Sequence, residues 1–196
     1  MRDLTRFLSE WLADGGRRIG QVAITPIATG WELRHVDNLG RTDLPVKTSA
    51  EDARHLANLD DTGAFRPLKT APNLPHGWCL QLPDVATVRV ALEYFYPAMV
   101  GVAFSHRLGK LAPVSLRVTL GRQTGMYRVT QKITDEQARA MVDGFCAGCL
   151  KHRLWELEEP NATPAPAVAK AFPLLCQEAC NLLVAEARKV VKSTAT

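Results

Sequence analysis

The chain has 196 residues, 46% hydrophobic and 22% charged, enough for one substantial core or two small domains. Its formal net charge of +4 is spread evenly, with 14 basic and 12 acidic side chains up to residue 120 and 10 and 8 beyond it, so no basic block marks a nucleic-acid-binding face. No apolar run reaches the roughly 18 residues of a membrane-spanning helix, and the acids in MRDLTRFLSEWLADGG read as neither signal nor transit peptide. The expected location is therefore cytoplasmic, where thiols stay reduced and paired cysteines more often bind metal or cycle in redox chemistry than staple a fold.

Leu4, Phe7, Leu8, Trp11 and Leu12 recur at helical spacing and predict a helix over 3–14, ended by Gly15-Gly16. Extended segments at 18–28 and 31–37, with Ala28-Thr29-Gly30 between them, predict a β-hairpin carrying Val22, Ile24, Trp31, Leu33 and Val36. A further helix is predicted from Ser49, capped by its hydroxyl, with Leu56 and Leu59 facing inward. Residues 60–78 hold Pro67, Pro72 and Pro75, which exclude regular helix, and offer the polar tips of Arg66, Lys69 and His76. Trp78 to Leu82 reads as a strand. Asp84 then caps a helix through Tyr96 whose apolar face is Val85, Val88, Leu92, Phe95 and Tyr96. A second apolar segment follows Pro97 and stops at Gly109.

Residues 111–120 fit strand or helix, and GRQTGMY at 121–127 reads as a turn. Thr134, with Glu136 and Gln137 behind it, opens a helix to about Phe145 that delivers a first pair of cysteines. ELEEPNATPAPAVA at 156–169 is an extended connection, and a final helix from about Leu174 to Val191 carries a second pair.

Cys146 and Cys149 form C-x2-C, and Cys176 and Cys180 form C-x3-C, with 26 residues between the pairs. Two close thiol pairs across a linker make a metal-ligand pattern, and thiolates suit zinc or an iron–sulfur cluster. Spacing alone leaves those two open. A redox dithiol at Cys146-Ala147-Gly148-Cys149 is a third reading, although the motif ends a predicted helix instead of following a strand. Placed four apart on one helix face, Cys176 and Cys180 would give two corners of one site. His152 could replace one sulfur, but a solvated basic loop at Lys151, His152 and Arg153 is the simpler reading. Cys79, between Trp78 and Leu80, reads as a buried apolar side chain. The remaining histidines are scattered and form no metal-ligand spacing.

FRPLKTAPNLPHGW at 65–78, RQTGMY at 122–127 and the four-cysteine tail resemble the C-terminal part of CbiX-type sirohydrochlorin cobaltochelatase-like multidomain proteins. In that family chelatase-like domains precede a stabilising α+β domain and then a [4Fe–4S] domain. The resemblance, over roughly residues 45–190, implies that Cys146, Cys149, Cys176 and Cys180 ligate a [4Fe–4S] cluster and that Arg122 and Tyr127 lie in a loop near it. No repeated βαβ pattern and no histidine pair for cobalt stand in the first 120 residues, so chelatase activity is not expected of this chain. The expected architecture is α+β, with a stabilising domain of hairpin and helices at 1–110 and a mainly helical [4Fe–4S] domain at 111–196. The expected role is that of an iron–sulfur accessory or electron-transfer protein of cobalamin (tetrapyrrole) biosynthesis, not a stand-alone enzyme. Its expected partner is a separate chelatase or another tetrapyrrole-pathway protein; neither nucleic acid nor membrane is expected. The alternative is a structural zinc protein in which the same four cysteines hold one zinc ion and serve partner binding.

Overall fold

The computed structural model describes residues 2–60, 62–65, 73–122, 124–146, 149–156, 170–176 and 180–193. Its helices are α1 (Arg2–Ala13), α2 (Asp52–Asn58), α3 (Val85–Phe95), α4 (Met99–Arg107), α5 (Leu116–Gly121), α6 (Asp135–Cys146) and α7 (Asn181–Ser193). The strands are β1 (Arg18–Ile19), β2 (Val22–Ile27), β3 (Gly30–His35), β4 (Val46–Lys47), β5 (Cys79–Leu82), β6 (Val114–Ser115), β7 (His152–Arg153), β8 (Trp155–Glu156), β9 (Ala171–Phe172) and β10 (Leu175–Cys176). Two 3-10 helices cover Val36–Asn38 and Gly125–Lys132. The class is α+β, and the chain divides into two compact units, Met1–Phe104 with Pro166–Leu174, and Ser105–Ala165 with Leu175–Thr196.

In the first unit the apolar extended segments close into a sheet of order β4-β5-β3-β2-β1-β9. The β2–β3 hairpin is antiparallel with Ile24 opposite Leu33, and β5 continues the sheet with Leu80 opposite Leu33, so one face is a row of buried aliphatics. Leu8 and Leu12 of α1 and Val88, Leu92 and Phe95 of α3 are buried with them. Gly30 has φ 139°, and a side chain there would run into the carbonyl oxygen of Leu82, so the hairpin needs glycine at this point. Trp78 stacks on Phe95 at 5.0 Å between ring centres, and its indole N–H donates to the Pro75 carbonyl at 2.7 Å. The Tyr96 side chain is fully buried, and its hydroxyl accepts the Gln21 amide at 2.8 Å.

The expected cap of α3 forms, with the Thr87 amide donating to Asp84 Oδ1 at 2.8 Å and the Thr87 hydroxyl reaching back to the Asp84 backbone. At α2 the outcome differs. Ser49 does not cap it; its hydroxyl accepts the Glu51 amide, closing a turn before the helix starts at Asp52. Leu56 and Leu59 are then only half-buried, and Ala53 is the residue that faces inward. Arg66 and Lys69 lie outside the described residues.

The second unit is built on Leu116, Leu120, Ile133, Ala138, Met141, Val142, Leu183, Val184 and Ala187, with Cys146 and Val190 packed against them. The ambiguous stretch 111–120 is both things in turn, the strand β6 and then α5, whose first turn is capped by the Ser115 hydroxyl accepting the Val118 amide at 3.2 Å. Thr134 and Gln137 form a reciprocal cap at α6, each backbone amide donating to the other's side-chain oxygen at 2.9 and 3.2 Å. Arg117 donates to Asp135 Oδ1 at 2.7 Å and to the Ile133 carbonyl at 2.8 Å, tying α5 to the start of α6. The turn expected at 121–127 gives way at Gly125 to a 3-10 helix. Among the described residues no single helix is long and apolar enough to cross a membrane.

Candidate metal centre

Cys146 is the last residue of α6 and lies half-buried against the second unit's core, so its position is set by the packing of Met141 and Val142 one turn earlier. The chain turns at once, the Cys149 amide donating to the Cys146 carbonyl at 3.1 Å, which brings the second thiol round the helix end. The Lys151 amide donates to Cys149 Sγ at 3.5 Å. The chain then enters β7, which pairs in parallel with β10 so that Arg153 stands opposite Cys176. The Leu154 amide donates to the Cys176 carbonyl at 2.8 Å and fixes that register.

This corrects the expected final helix. Cys176 belongs to a strand, and α7 begins only at Asn181, after Cys180, whose carbonyl accepts the Val184 amide at 3.0 Å. Cys176 and Cys180 therefore do not share a helix face. The basic loop expected at 151–153 is in part the β7–β10 ladder, with His152 half-buried opposite Leu175.

The four thiols gather. Cys146 is pushed up to about 11, by burial first and then by the charges of Cys180, Cys176 and Cys149, while Arg153 pulls the other way. All three other cysteines thus act on Cys146 through space, although the chain brings them from two separated segments. Cys146 thus resists ionisation beside its neighbours; a bound cationic group reverses that sign, because coordination deprotonates a thiol outright. The donor set therefore fits a metal centre. Four thiolates on one zinc ion stand about 3.8 Å apart, from Zn–S bonds of about 2.3 Å. Among the described residues, the ligand atoms drawn within 4.8 Å of one another are those of His35, Asp37 and His76, not the sulfurs.

Arg122 closes α5, its amide donating to the Val118 carbonyl at 3.2 Å, and its side chain is exposed. Tyr127 falls in the 3-10 helix, and its side chain lies outside the described residues. Cys79 is buried in the first unit as expected, but it is not inert: its thiol donates to Glu32 Oε2 at 3.3 Å, and burial, then that carboxylate, push it up to about 11. Glu32 is in turn clasped by Arg34 through Nε at 2.6 Å and Nη2 at 2.9 Å, which holds its carboxyl below the usual range.

The scattered histidines also need correction. His35 and His76 come together across 41 positions of sequence, with ring centres 4.1 Å apart. No spacing could have announced that pair.

Comparison with known proteins decides the family. Residues 6–107, more than half of the chain, match the DR2241 stabilising domain. The chain belongs to the DR2241 stabilising-domain family. Residues 108–189 match a 4Fe-4S iron-sulfur cluster binding domain, the unit in which the four thiols gather, and the cofactor of this part of the chain is a [4Fe–4S] cluster. The crystal structure of DR2241 from Deinococcus radiodurans is similar over 96% of this chain and 41% of its own, with 34% identity and a TM-score of 0.78. It is described as a multi-domain protein with structural similarity to chelatases and two additional novel domains. This chain thus spans about two fifths of the length of that DR2241 chain. The stabilising and cluster-binding matches together fill residues 6–189. No curated protein matches.

Proposed function

We propose that this DR2241-family protein is an iron–sulfur accessory protein of tetrapyrrole (cobalamin) metabolism. Its [4Fe–4S] cluster is held by Cys146, Cys149, Cys176 and Cys180, and it acts with a separate chelatase. The observation that carries the reading is the gathering of four thiols, from a helix end and a strand, inside the unit that matches the cluster-binding family. The link to a chelatase rests on the likeness to two fifths of a protein with structural similarity to chelatases. When bound, such a cluster supplies one-electron chemistry. The chain's part is to fix the sulfurs and tune them. Packing of Cys146 on the core keeps one corner rigid, the Lys151 amide withdraws charge from Cys149, and Arg153 sets a positive group beside Cys176. On this reading the protein serves another catalyst.

Anaerobic purification with metal and sulfide analysis tests the first half. The expected result is about four iron and four sulfide per chain, as the cluster's composition requires. Serine at any of Cys146, Cys149, Cys176 or Cys180 should abolish stable cluster binding, and Cys79→Ser should retain it. One zinc per chain with no sulfide would replace this reading by a structural zinc site on the same four cysteines. Co-purification with a separately encoded chelatase tests the second half, and no association in either loading state would remove the partner while leaving the cluster.

A further inference from the structure

The strand β3 ends at His35, whose side chain is 1% exposed, and the 3-10 turn behind it folds Asp37 back over that ring. The Asp37 amide donates to His35 Nδ1 at 3.2 Å, and Asp37 Oδ2 lies 3.6 Å from the same nitrogen. His76 arrives from a distant loop that is pinned on both sides. The Gly77 amide donates to Asn38 Oδ1 at 2.7 Å, with Gly77 at φ 82°, and the Trp78 indole holds the Pro75 carbonyl at 2.7 Å. The result sets His76 Nδ1 4.0 Å from Asp37 Oδ2 and tilts the two imidazoles by 56° at 4.1 Å.

One ligand atom from each of the three side chains lies within 4.8 Å of the other two. The carboxylate's distances to the two imidazole nitrogens are too long for direct hydrogen bonds. They are close to those of atoms that share an ion, since ligands about 2.0–2.2 Å from a tetrahedral metal stand roughly 3.4 Å from one another. We propose that His35, Asp37 and His76 form a metal site, distinct from the four cysteines, for a single divalent first-row transition ion such as Zn2+ or Co2+. Two imidazoles and one carboxylate select such ions over Ca2+ or Mg2+, which prefer oxygen. The buried histidine fixes the ion against the sheet. His76, 48% exposed, and Asp37, 68% exposed, leave its outer side open to water or a ligand. At His35 Nδ1 the ion takes the place of the hydrogen bond that the Asp37 amide donates at 3.2 Å.

The test uses the full chain purified anaerobically with its cluster, titrated with Co2+ and followed by visible absorption. Co2+ on imidazole and carboxylate shows weak d–d bands, whereas Co2+ on cysteine adds intense sulfur-to-metal charge-transfer bands, so the two sites report separately even if the cluster is lost. The expected result is one Co2+ bound without the sulfur bands, competed by Zn2+, with affinity at least tenfold weaker in His76→Ala and in Asp37→Asn. Both residues are exposed, so the variants should keep the wild-type melting temperature. No uptake of Co2+ beyond the cysteines in the wild type, or wild-type affinity in both folded variants, would overturn the proposal.

Discussion

Arg153 offers the sharpest measurement on the cluster site. It stands opposite Cys176 in the β7–β10 ladder, and its charge favours the ionised form of Cys146 against burial and three like-charged neighbours. Reduction of a cluster bound there adds negative charge, which a nearby guanidinium stabilises, so Arg153 raises the reduction potential. Its side chain is exposed, and the interaction is therefore that of a well-solvated pair, about 0.5–1 kcal/mol. At 59 mV per tenfold for one electron and about 1.4 kcal/mol per tenfold, that is about 20–40 mV. Arg153→Gln should lower the midpoint potential by this amount in a redox titration at low salt, followed by electron paramagnetic resonance. Arg153→Lys should keep nearly the wild-type value, and high salt should shrink the difference. The backbone bond from Leu154 to Cys176 survives both changes, so a mere loss of structure would not separate them. An unchanged potential in Arg153→Gln at low salt, or an equal fall in Arg153→Lys, would refute the electrostatic account.

In the metal-free, reduced protein, Cys146 should alkylate far more slowly than a free thiol. At about 11 its thiolate share near pH 8 is about one in a thousand, against roughly one in ten for an ordinary cysteine, and mass spectrometry after timed iodoacetamide treatment reads the difference. Tyr96→Phe should cost about 1–2 kcal/mol by leaving the Gln21 amide without its acceptor, a melting temperature lower by roughly 3–6 °C. Asp84→Ala should cost about 1 kcal/mol by removing the cap of α3, measured by urea denaturation. The Thr87 amide holds the Asp84 carboxyl below its ordinary value, so the cap's contribution is present above the unfolded carboxylate's titration and lost as pH falls through the folded one. The difference between wild type and Asp84→Ala should accordingly narrow in acid.

Local rules carried the first unit well. The apolar run around Ile24 and the segment around Leu33, joined by a glycine turn, need nothing beyond their own stretch of chain, and neither does Asp84 three residues ahead of Thr87. The failures at the last cysteine pair and at the histidines share one cause, partners that are remote in sequence. Leu174-Leu175-Cys176 suits a helix start as well as a strand, and what decides is the ladder to His152 and Arg153 more than twenty positions earlier. The same holds for Cys79, whose thiol meets Glu32 across the sheet, and for His35 and His76. Residues 111–120 were ambiguous because they hold two elements in ten positions, with Ser115 ending one and capping the next. The family resemblance, in contrast, was legible because the four-cysteine spacing and RQTGMY are short patterns complete within their own segments.

The misassigned strand changes what the cysteine site demands of the fold. Had Cys176 and Cys180 shared a helix, local backbone geometry alone would have kept them paired. Instead each sits on a different kind of backbone, Cys176 in a two-residue strand and Cys180 just ahead of α7, while Cys146 ends a helix packed on the core. Such short ladders contribute little by themselves, and the neighbouring thiols oppose the ionisation of Cys146. On the proposed reading the favourable term that offsets this is metal coordination, which converts that repulsion into shared attraction and so would belong to the folding energy of the second unit. The first unit has its own sheet and its own buried aliphatics, Leu33, Leu80 and Leu92 among them, and needs no such term.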